Sequence, residues 1–188
     1  MKPLIINHVN RRKEFIEILA ERGAKYGVEI GTDHGGYAAQ LCEGIPNLHL
    51  LCVDPYVAYT EGNEVHSQEE VDQIYAEAKA RLAPYNAIIV KKTSMEAVKK
   101  VEDSSLDFVF IDGNHSYSYV MQDIIEWTRK VKPGGIVAGH DYKEDSVNDY
   151  GVIEAVDNYV AHNHIAPLFI LHVGGSFVDC WMFIKQPI

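Results

Sequence analysis

The sequence predicts a doubly wound α/β fold built on a seven-stranded sheet that is mainly parallel. Short apolar runs alternate with amphipathic segments from residue 26 to residue 163, which is typical of strand–helix–strand units. A glycine-rich turn in "VEIGTDHGG" joins the first of these strands to its helix. The tail ends in two apolar runs joined by Gly174-Gly175, which predicts a hairpin and one antiparallel strand.

The boundaries of the elements follow from periodicity and from glycine and proline. Phe15, Ile16 and Leu19 recur at helical spacing before Gly23, so residues 1–24 are expected to form an N-terminal helical segment. This segment and a core of residues 25–184 are expected to make a single domain. Strands are predicted at 26–31, 48–54, 86–92, 106–111, 136–141, 166–173 and 176–185, and helices at 11–23, 35–45, 68–85, 94–101, 116–130 and 149–163.

The composition excludes several classes of partner. The 188 residues carry a formal net charge of −10 and a pI near 5.3. This balance argues against nucleic acid or a membrane surface as partner, because phosphates are bound by clusters of lysine and arginine. The sequence lacks the apolar region of a signal peptide and any run of membrane-spanning length, so a cytoplasmic protein is expected. Three cysteines in apolar sequence are interpreted as core residues: Cys42, Cys52 and Cys180.

Residues at the ends of the first two strands form a pattern typical of a nucleoside cofactor site. Gly31 and Gly36 fit a dinucleotide fingerprint, but Asp33 replaces its middle glycine, so the turn by itself is also compatible with an ordinary strand-to-helix connection. Glu29 adds a carboxylate that can pair with an ammonium group. Asp54 ends the second strand, where an acid can accept hydrogen bonds from both ribose hydroxyls or simply begin the following turn.

These residues give the sequence a resemblance to the class I S-adenosylmethionine-dependent methyltransferases. The family's acid-x-Gly-x-x-x-Gly pattern runs from Glu29 to Gly35, and "IDGNHSY", "VKPGG" and "GHDY" resemble the small group with an Asp-Gly-x-His-Ser-Tyr signature, methyltransferase family 24. The resemblance covers residues 25–184 and implies a Rossmann-like fold, with Ser94 near the adenine of S-adenosylmethionine. It implies cofactor binding by Glu29, Gly31, Thr32, Asp33, Gly35, Asp54, Ser94 and Asp112.

Two acids end neighbouring strands of the predicted sheet, Asp112 after one and Asp141 at the end of the next. Carboxylate oxygens at adjacent strand ends suit Mg²⁺ or a similar cation, and metal-dependent members of the wider family have acids there. His140 stands where those members have a second acid or an amide, which favours a softer ion or none. Asp112, Asp141 and His140 are therefore the predicted metal ligands, and contact with the cofactor's methionine portion is the competing role of Asp112.

His115 is the predicted general base. Related sugar hydroxyl methyltransferases carry an Asp-x-x-His arrangement with the histidine as base, and this chain matches it at Asp112 and His115, the two predicted catalytic residues. An unperturbed imidazole takes up a proton near neutral pH. The alternative is that Asn114 or Ser116 caps the following helix while His115 stays in solvent. Asp123, further along that helix, is expected on its solvated face.

The function expected from these features is S-adenosylmethionine-dependent O-methylation of a small molecule, such as a sugar, glycoside or natural product, with or without a divalent metal. The alternatives are an NAD-dependent oxidoreductase on a Rossmann fold and a methyltransferase-like binding protein without turnover. The aperiodic segment 55–67 is a candidate lid. Because the chain is short, acceptor specificity is expected to come from the N-terminal segment, from 55–67, from 142–148, or from a second subunit of a homo-oligomer.

Overall fold

The computed structural model describes residues 4–7, 11–61, 64–143, 150–172 and 179–187. None of the helices in these ranges is both long and apolar enough to cross a bilayer. The helices are α1 (Arg11–Glu21), α2 (Gly36–Gly44), α3 (Gln68–Leu82), α4 (Ser94–Ala97), α5 (Tyr117–Lys130) and α6 (Val152–His162), and a 3₁₀ turn at Val98–Lys100 follows α4. The strands are β1 (Leu4–Asn7), β2 (Tyr26–Ile30), β3 (His49–Asp54), β4 (Tyr59–Glu61), β5 (Glu64–His66), β6 (Ala87–Lys91), β7 (Leu106–Ile111), β8 (Val131–Gly139), β9 (Phe169–His172) and β10 (Cys180–Ile184).

Within the described ranges, eight strands form one sheet in the order β1-β9-β10-β8-β7-β2-β3-β6. Strand β2 pairs in parallel with β3 and β7, β7 with β8, and β3 with β6. Strand β10 is antiparallel to both of its neighbours, β8 and β9. The predicted doubly wound α/β fold, mainly parallel with one antiparallel C-terminal strand, is therefore confirmed.

Three local predictions are corrected by the structure. Residues 4–7, expected within a helical segment, form β1, which pairs with β9 and adds an eighth strand to the predicted seven. Segment 55–67, expected to be aperiodic, contains the two-stranded ribbon β4–β5. Strand β8 starts earlier than predicted and ends at Gly139, so that His140 and Asp141 follow it. The predicted Gly174-Gly175 turn lies outside the described residues.

Helices cover both faces of the sheet, as the side chains of β7 illustrate. Val109 and Ile111 pack with residues of α4, α5 and α6, whereas Phe108 and Phe110 pack with residues of α1 and α2. This alternation is the two-residue period of a strand that is buried on both faces. With both faces covered, the carboxyl edge of the parallel strands is the part of the sheet where open α/β folds bind ligands.

Candidate active site

The turn after β2 brings the backbone of Gly31 against the chain that follows β7. Gly31 has φ +83°, and a Cβ atom there would overlap the carbonyl oxygen of Asp112. The amide of Asp112 donates to the carbonyl of Ile30 across 2.8 Å, which holds the two strand ends together. A left-handed residue in such close contact with backbone must be glycine. The predicted cofactor turn therefore lies directly beside the predicted catalytic segment.

Asp54, at the end of β3, orders the same turn. Its Oδ2 accepts a hydrogen bond from the Asp33 amide at 3.0 Å, and its Oδ1 accepts one from the Tyr56 amide at 2.9 Å. The Tyr56 hydroxyl in turn donates to the Asp33 carbonyl at 2.8 Å. Burial raises the pKa of Asp54, and the two amides partly offset that rise. Each carboxylate oxygen has a further lone pair, which a ligand hydroxyl can use.

Asp33 occupies the position of the middle glycine in a conformation that suits it. Its φ is +48°, in the left-handed region that aspartate tolerates better than most residues, and its side chain is 64% exposed. Thr32 and Glu29 are buried, and Gly35 is the N-cap residue of α2. Asp33 in place of the middle glycine thus leaves the turn compact, with its carboxylate pointing into solvent.

Four side chains meet just beyond the ends of β7 and β8. His115 Nε2 lies 3.0 Å from Asp141 Oδ2 and 3.9 Å from Asp112 Oδ1. His140 Nδ1 lies 2.9 Å from the same oxygen of Asp141 and 3.7 Å from Asp112 Oδ1. The structure therefore brings together the residues that the sequence assigned to the base and to the metal.

Asp141 is the centre of this cluster. It is 8% exposed, and its φ of +56° is in the left-handed region. Burial by itself would raise the pKa of its carboxyl, but the imidazoles of His115 and His140 outweigh burial and hold the pKa well below its usual range. Lys143 Nζ lies 3.6 Å from Oδ1. The carboxylate of Asp141 therefore stays ionised between the two imidazoles.

The His115 ring is held by a contact that the sequence analysis did not predict. Tyr150 stacks on it, with ring centroids 4.4 Å apart and 24° between the planes. The Gly151 amide donates to the His115 carbonyl at 2.9 Å. Asn114 orders the turn before α5, since its Oδ1 accepts from the Ser116 amide at 3.0 Å. The side chain of His115 is nevertheless only 16% exposed, so it is part of the cluster and is not a solvated residue.

Ser94, the predicted neighbour of adenine, begins α4 after β6, the strand that lies next to β3. Its Oγ contacts Asp123 Oδ1 and accepts a hydrogen bond from Trp127 Nε1 at 2.7 Å. The expectation that Asp123 is solvated was wrong, because this residue lies on the buried face of α5 and is 5% exposed. Burial raises the pKa of Asp123 to about 6. The hydroxyl of Ser94 is therefore already engaged with α5.

A family model described as a methyltransferase domain matches residues 28–142. This range runs from β2 to just beyond β8 and includes both the glycine turn and the four-residue cluster. The chain belongs to this family. This chain is 31% identical over 116 residues to the uncharacterised protein y4gI of Sinorhizobium fredii, and the alignment covers 61% of this chain but only 13% of that relative.

Two O-methyltransferases of known structure share the fold of this chain. TomG of Streptomyces achromogenes, which is involved in tomaymycin synthesis and was solved with S-adenosylmethionine, is 15% identical with a TM-score of 0.66; the match covers 93% of this chain and 79% of TomG. The Bacillus cereus enzyme in complex with S-adenosylhomocysteine is 13% identical with a TM-score of 0.67, over 93% and 80% of the two chains. At these identities the likeness establishes the fold.

Proposed function

We propose that this methyltransferase moves the methyl group of S-adenosylmethionine to a hydroxyl oxygen of a small molecule. The observation that carries the proposal is the 3.0 Å contact between His115 Nε2 and Asp141 Oδ2, beside the glycine turn. A hydroxyl loses its proton on methylation, and an imidazole oriented by a carboxylate is a competent general base. TomG and the Bacillus cereus protein, which share the fold, are both O-methyltransferases, and this supports an oxygen acceptor.

The residues around the glycine turn fit the cofactor. Asp54 would hold the ribose hydroxyls, since two backbone amides already fix its carboxylate. The absence of a side chain at Gly31 allows a ligand to approach the backbone. Glu29 and Asp112 are assigned to the amino acid portion, whose ammonium group carboxylates can pair with, and Ser94 to the adenine end. When bound, S-adenosylmethionine supplies a methyl group on a positively charged sulfur.

In this proposal His115 takes the proton of the acceptor hydroxyl, and Asp141 stabilises the imidazolium that forms. The positive charge arises 3.0 Å from a carboxylate that stays ionised, so neither side chain has to move. The stacked ring of Tyr150 keeps the plane of the imidazole fixed. The site therefore pairs a proton acceptor with its counter-charge before the acceptor molecule binds.

A divalent cation is a second role that the same cluster supports. One ligand atom each of Asp112, His115 and Asp141 lie within 4.8 Å of one another. A mixed nitrogen and oxygen set suits Mn²⁺ or Zn²⁺ better than Mg²⁺. A cation in this position would displace the Nε2 proton that Asp141 Oδ2 accepts and would remove the carboxylate–imidazole pair that makes His115 a base, so the two roles are alternative states of the cluster. If the cation is required, EDTA abolishes transfer and added Mn²⁺ restores it; if His115 is the base, EDTA has no effect.

Isothermal titration with S-adenosylhomocysteine tests the cofactor assignment. We expect saturable binding, and no heat of binding with ligand at about 1 mM would refute the proposal. Titration with NADH, expected to give no binding, tests the oxidoreductase alternative. Transfer of a radiolabelled methyl group to a panel of sugars, glycosides and phenols then tests the reaction. Cofactor binding without transfer to any of them would favour the binding-protein alternative.

A further inference from the structure

Helix α3 contacts the glycine turn of the proposed cofactor site through two polar side chains. Nη1 of Arg81 donates to the carbonyl oxygen of His34 at 2.7 Å. Nδ1 of the same histidine lies 2.8 Å from Oε2 of Glu77, which precedes Arg81 by four residues on α3. Residues four apart lie on the same face of a helix, so both contacts come from one side of α3.

Gly35 fits closely against the same part of α3. A Cβ atom on Gly35 would come within 3.2 Å of the Leu82 side chain and 3.4 Å of the Ala78 backbone. Ala78 and Leu82 are both buried, and they directly follow Glu77 and Arg81 in the sequence. The turn therefore has apolar as well as hydrogen-bonded contacts with the second half of α3.

The backbone of the turn explains why contacts from outside matter. Gly31, Asp33 and Gly35 all have positive φ, at +83°, +48° and +71°. Glycine adopts this region freely, whereas an aspartate in place of the middle glycine adds strain. Hydrogen bonds that other elements make to the turn can offset this strain.

The bond from Arg81 orients a peptide group inside the turn. Because a peptide group is planar, a bond to the His34 carbonyl oxygen also orients the N–H of Gly35. That N–H donates to the carbonyl of Thr32 at 2.8 Å, and this bond closes the turn. Arg81 therefore stabilises the closed form of the turn from the surface of the protein.

The closed turn presents the amide of Asp33 to Asp54. That amide donates to Oδ2 of Asp54 at 3.0 Å, while the Tyr56 hydroxyl donates to the Asp33 carbonyl at 2.8 Å. Asp54 is the acid assigned to the ribose hydroxyls, so the shape of the turn affects how its carboxylate is oriented. Successive hydrogen bonds thus connect Arg81, an exposed residue, to the acid assigned to the ribose.

We propose that Arg81 is a positioning residue for the cofactor, because its bond to the His34 carbonyl keeps the turn closed and Asp54 oriented. This inference rests on the proposed function, in which Asp54 holds the ribose of S-adenosylmethionine. The competing interpretation is an exposed hydrogen bond that has no effect on binding, as is common for polar contacts at a protein surface.

Arg22 provides a matched control. Its Nη2 donates to the carbonyl oxygen of Gly134 at 2.6 Å, so it makes the same kind of bond to a backbone oxygen. Gly134 lies in the first half of β8, whose other end leads to the site. Arg22→Met and Arg81→Met each remove one bond between an arginine and a carbonyl and keep an unbranched side chain. Similar small losses of stability are expected for the two variants.

Amide hydrogen exchange without ligand tests the effect of Arg81 on the turn. In Arg81→Met the amides of Asp33 and Gly35 should exchange faster than in the wild type, whereas in Arg22→Met they should not. The amides of β7 report global unfolding and should respond equally in the two variants. Arg81→Lys retains a charged donor and should restore part of the protection. Wild-type exchange of the Asp33 amide in Arg81→Met would overturn the proposal.

Isothermal titration with S-adenosylhomocysteine tests the effect on binding. The affinity should fall about 2- to 10-fold in Arg81→Met, the effect of one hydrogen bond, and should not change in Arg22→Met. Wild-type affinity in Arg81→Met, or an equal loss in both variants, would overturn the role of Arg81 and leave the proposed cofactor standing. Absence of binding by the wild type would refute the proposed cofactor itself, and the role of Arg81 with it.

Discussion

At the scale of single residues, the contact between Gly31 and Asp112 makes a sharp prediction. Gly31 has φ +83°, and an added Cβ would overlap the Asp112 carbonyl oxygen. Gly31→Ala should therefore combine backbone strain with steric overlap and lower the free energy of unfolding by about 2–4 kcal/mol. Urea unfolding followed by circular dichroism measures the loss. Cofactor affinity should fall as well, because the displaced turn carries the Asp33 amide that orients Asp54.

Gly134 provides a matched control for this substitution. Its φ is +80°, close to that of Gly31, but an added Cβ would meet no atom within 4 Å. Gly134→Ala should therefore show the backbone strain alone, about 1–2 kcal/mol. If Gly31→Ala and Gly134→Ala lower the free energy of unfolding by the same amount, the close approach of Asp112 to Gly31 does not affect stability.

The prediction for His115 concerns the rate of methyl transfer. His115→Ala removes the base and should lower kcat about 10²- to 10⁴-fold, while the affinity for S-adenosylhomocysteine changes little. Steady-state kinetics with the acceptor identified from the panel, together with calorimetry, separate the two effects. His162→Ala, at the exposed end of α6, is the control and should keep wild-type kinetics. Wild-type turnover in His115→Ala would remove His115 as the base.

At the scale of elements, helices α4 and α5 are joined through a buried acid. Asp123 is 5% exposed, and burial raises its pKa to about 6. An acid whose pKa is higher in the folded than in the unfolded protein destabilises the fold once the unfolded state has lost its proton. This destabilisation begins as pH rises above about 4, grows until about pH 6, and reaches roughly 3 kcal/mol above that pH.

Asp123→Asn should remove this pH dependence, because the amide has no proton to lose and keeps an oxygen facing Ser94. Relative to the wild type, the variant should gain stability between about pH 4 and about pH 6 and keep a constant difference at higher pH. Urea unfolding of both proteins across this range measures the gain. A difference that does not vary with pH would show that Asp123 titrates normally in the folded protein.

The secondary structure elements also show which parts of the fold could be predicted from the sequence. Strands β2, β3, β6 and β7 were predicted because each is a short apolar run between turn residues. Strand β1 was missed because it has only four residues and its partner β9 lies at the other end of the sequence. The β4–β5 ribbon was missed because its polar residues show no alternation that distinguishes strand from loop.

At the scale of the whole molecule, the site could be predicted only as far as strand order determines it. Asp112 and Asp141 follow adjacent parallel strands, so their proximity follows from the fold class. The stacking of Tyr150 on His115 depends on how the residues that lead into α6 pack against the start of α5, and the position of Trp181 near the cluster depends on the pairing of β10 with β8. No pattern in the sequence near these residues specifies those contacts.

The charge of the whole chain supports a prediction about macromolecular partners. With a net charge of −10, the protein should not bind RNA through backbone phosphates. Fluorescence anisotropy with a labelled RNA stem of about 20 nucleotides, in about 0.15 M KCl, should give no saturation below about 100 µM protein. Saturable binding at nanomolar or low micromolar protein would contradict this and would redirect the search for the acceptor toward nucleic acid.

The close contact between Gly31 and the backbone of Asp112 also has a consequence for protein engineering. The turn that is assigned to the methyl donor and the segment that leads to His115 meet where Gly31 contacts the backbone of Asp112. Mutations at this contact would disturb both segments at once. A directed-evolution library aimed at new acceptors is better placed at exposed positions of the first turn of α5, such as Tyr119, which is 59% exposed. Diversity at that position would leave the junction intact while it reshapes the surface beside the site.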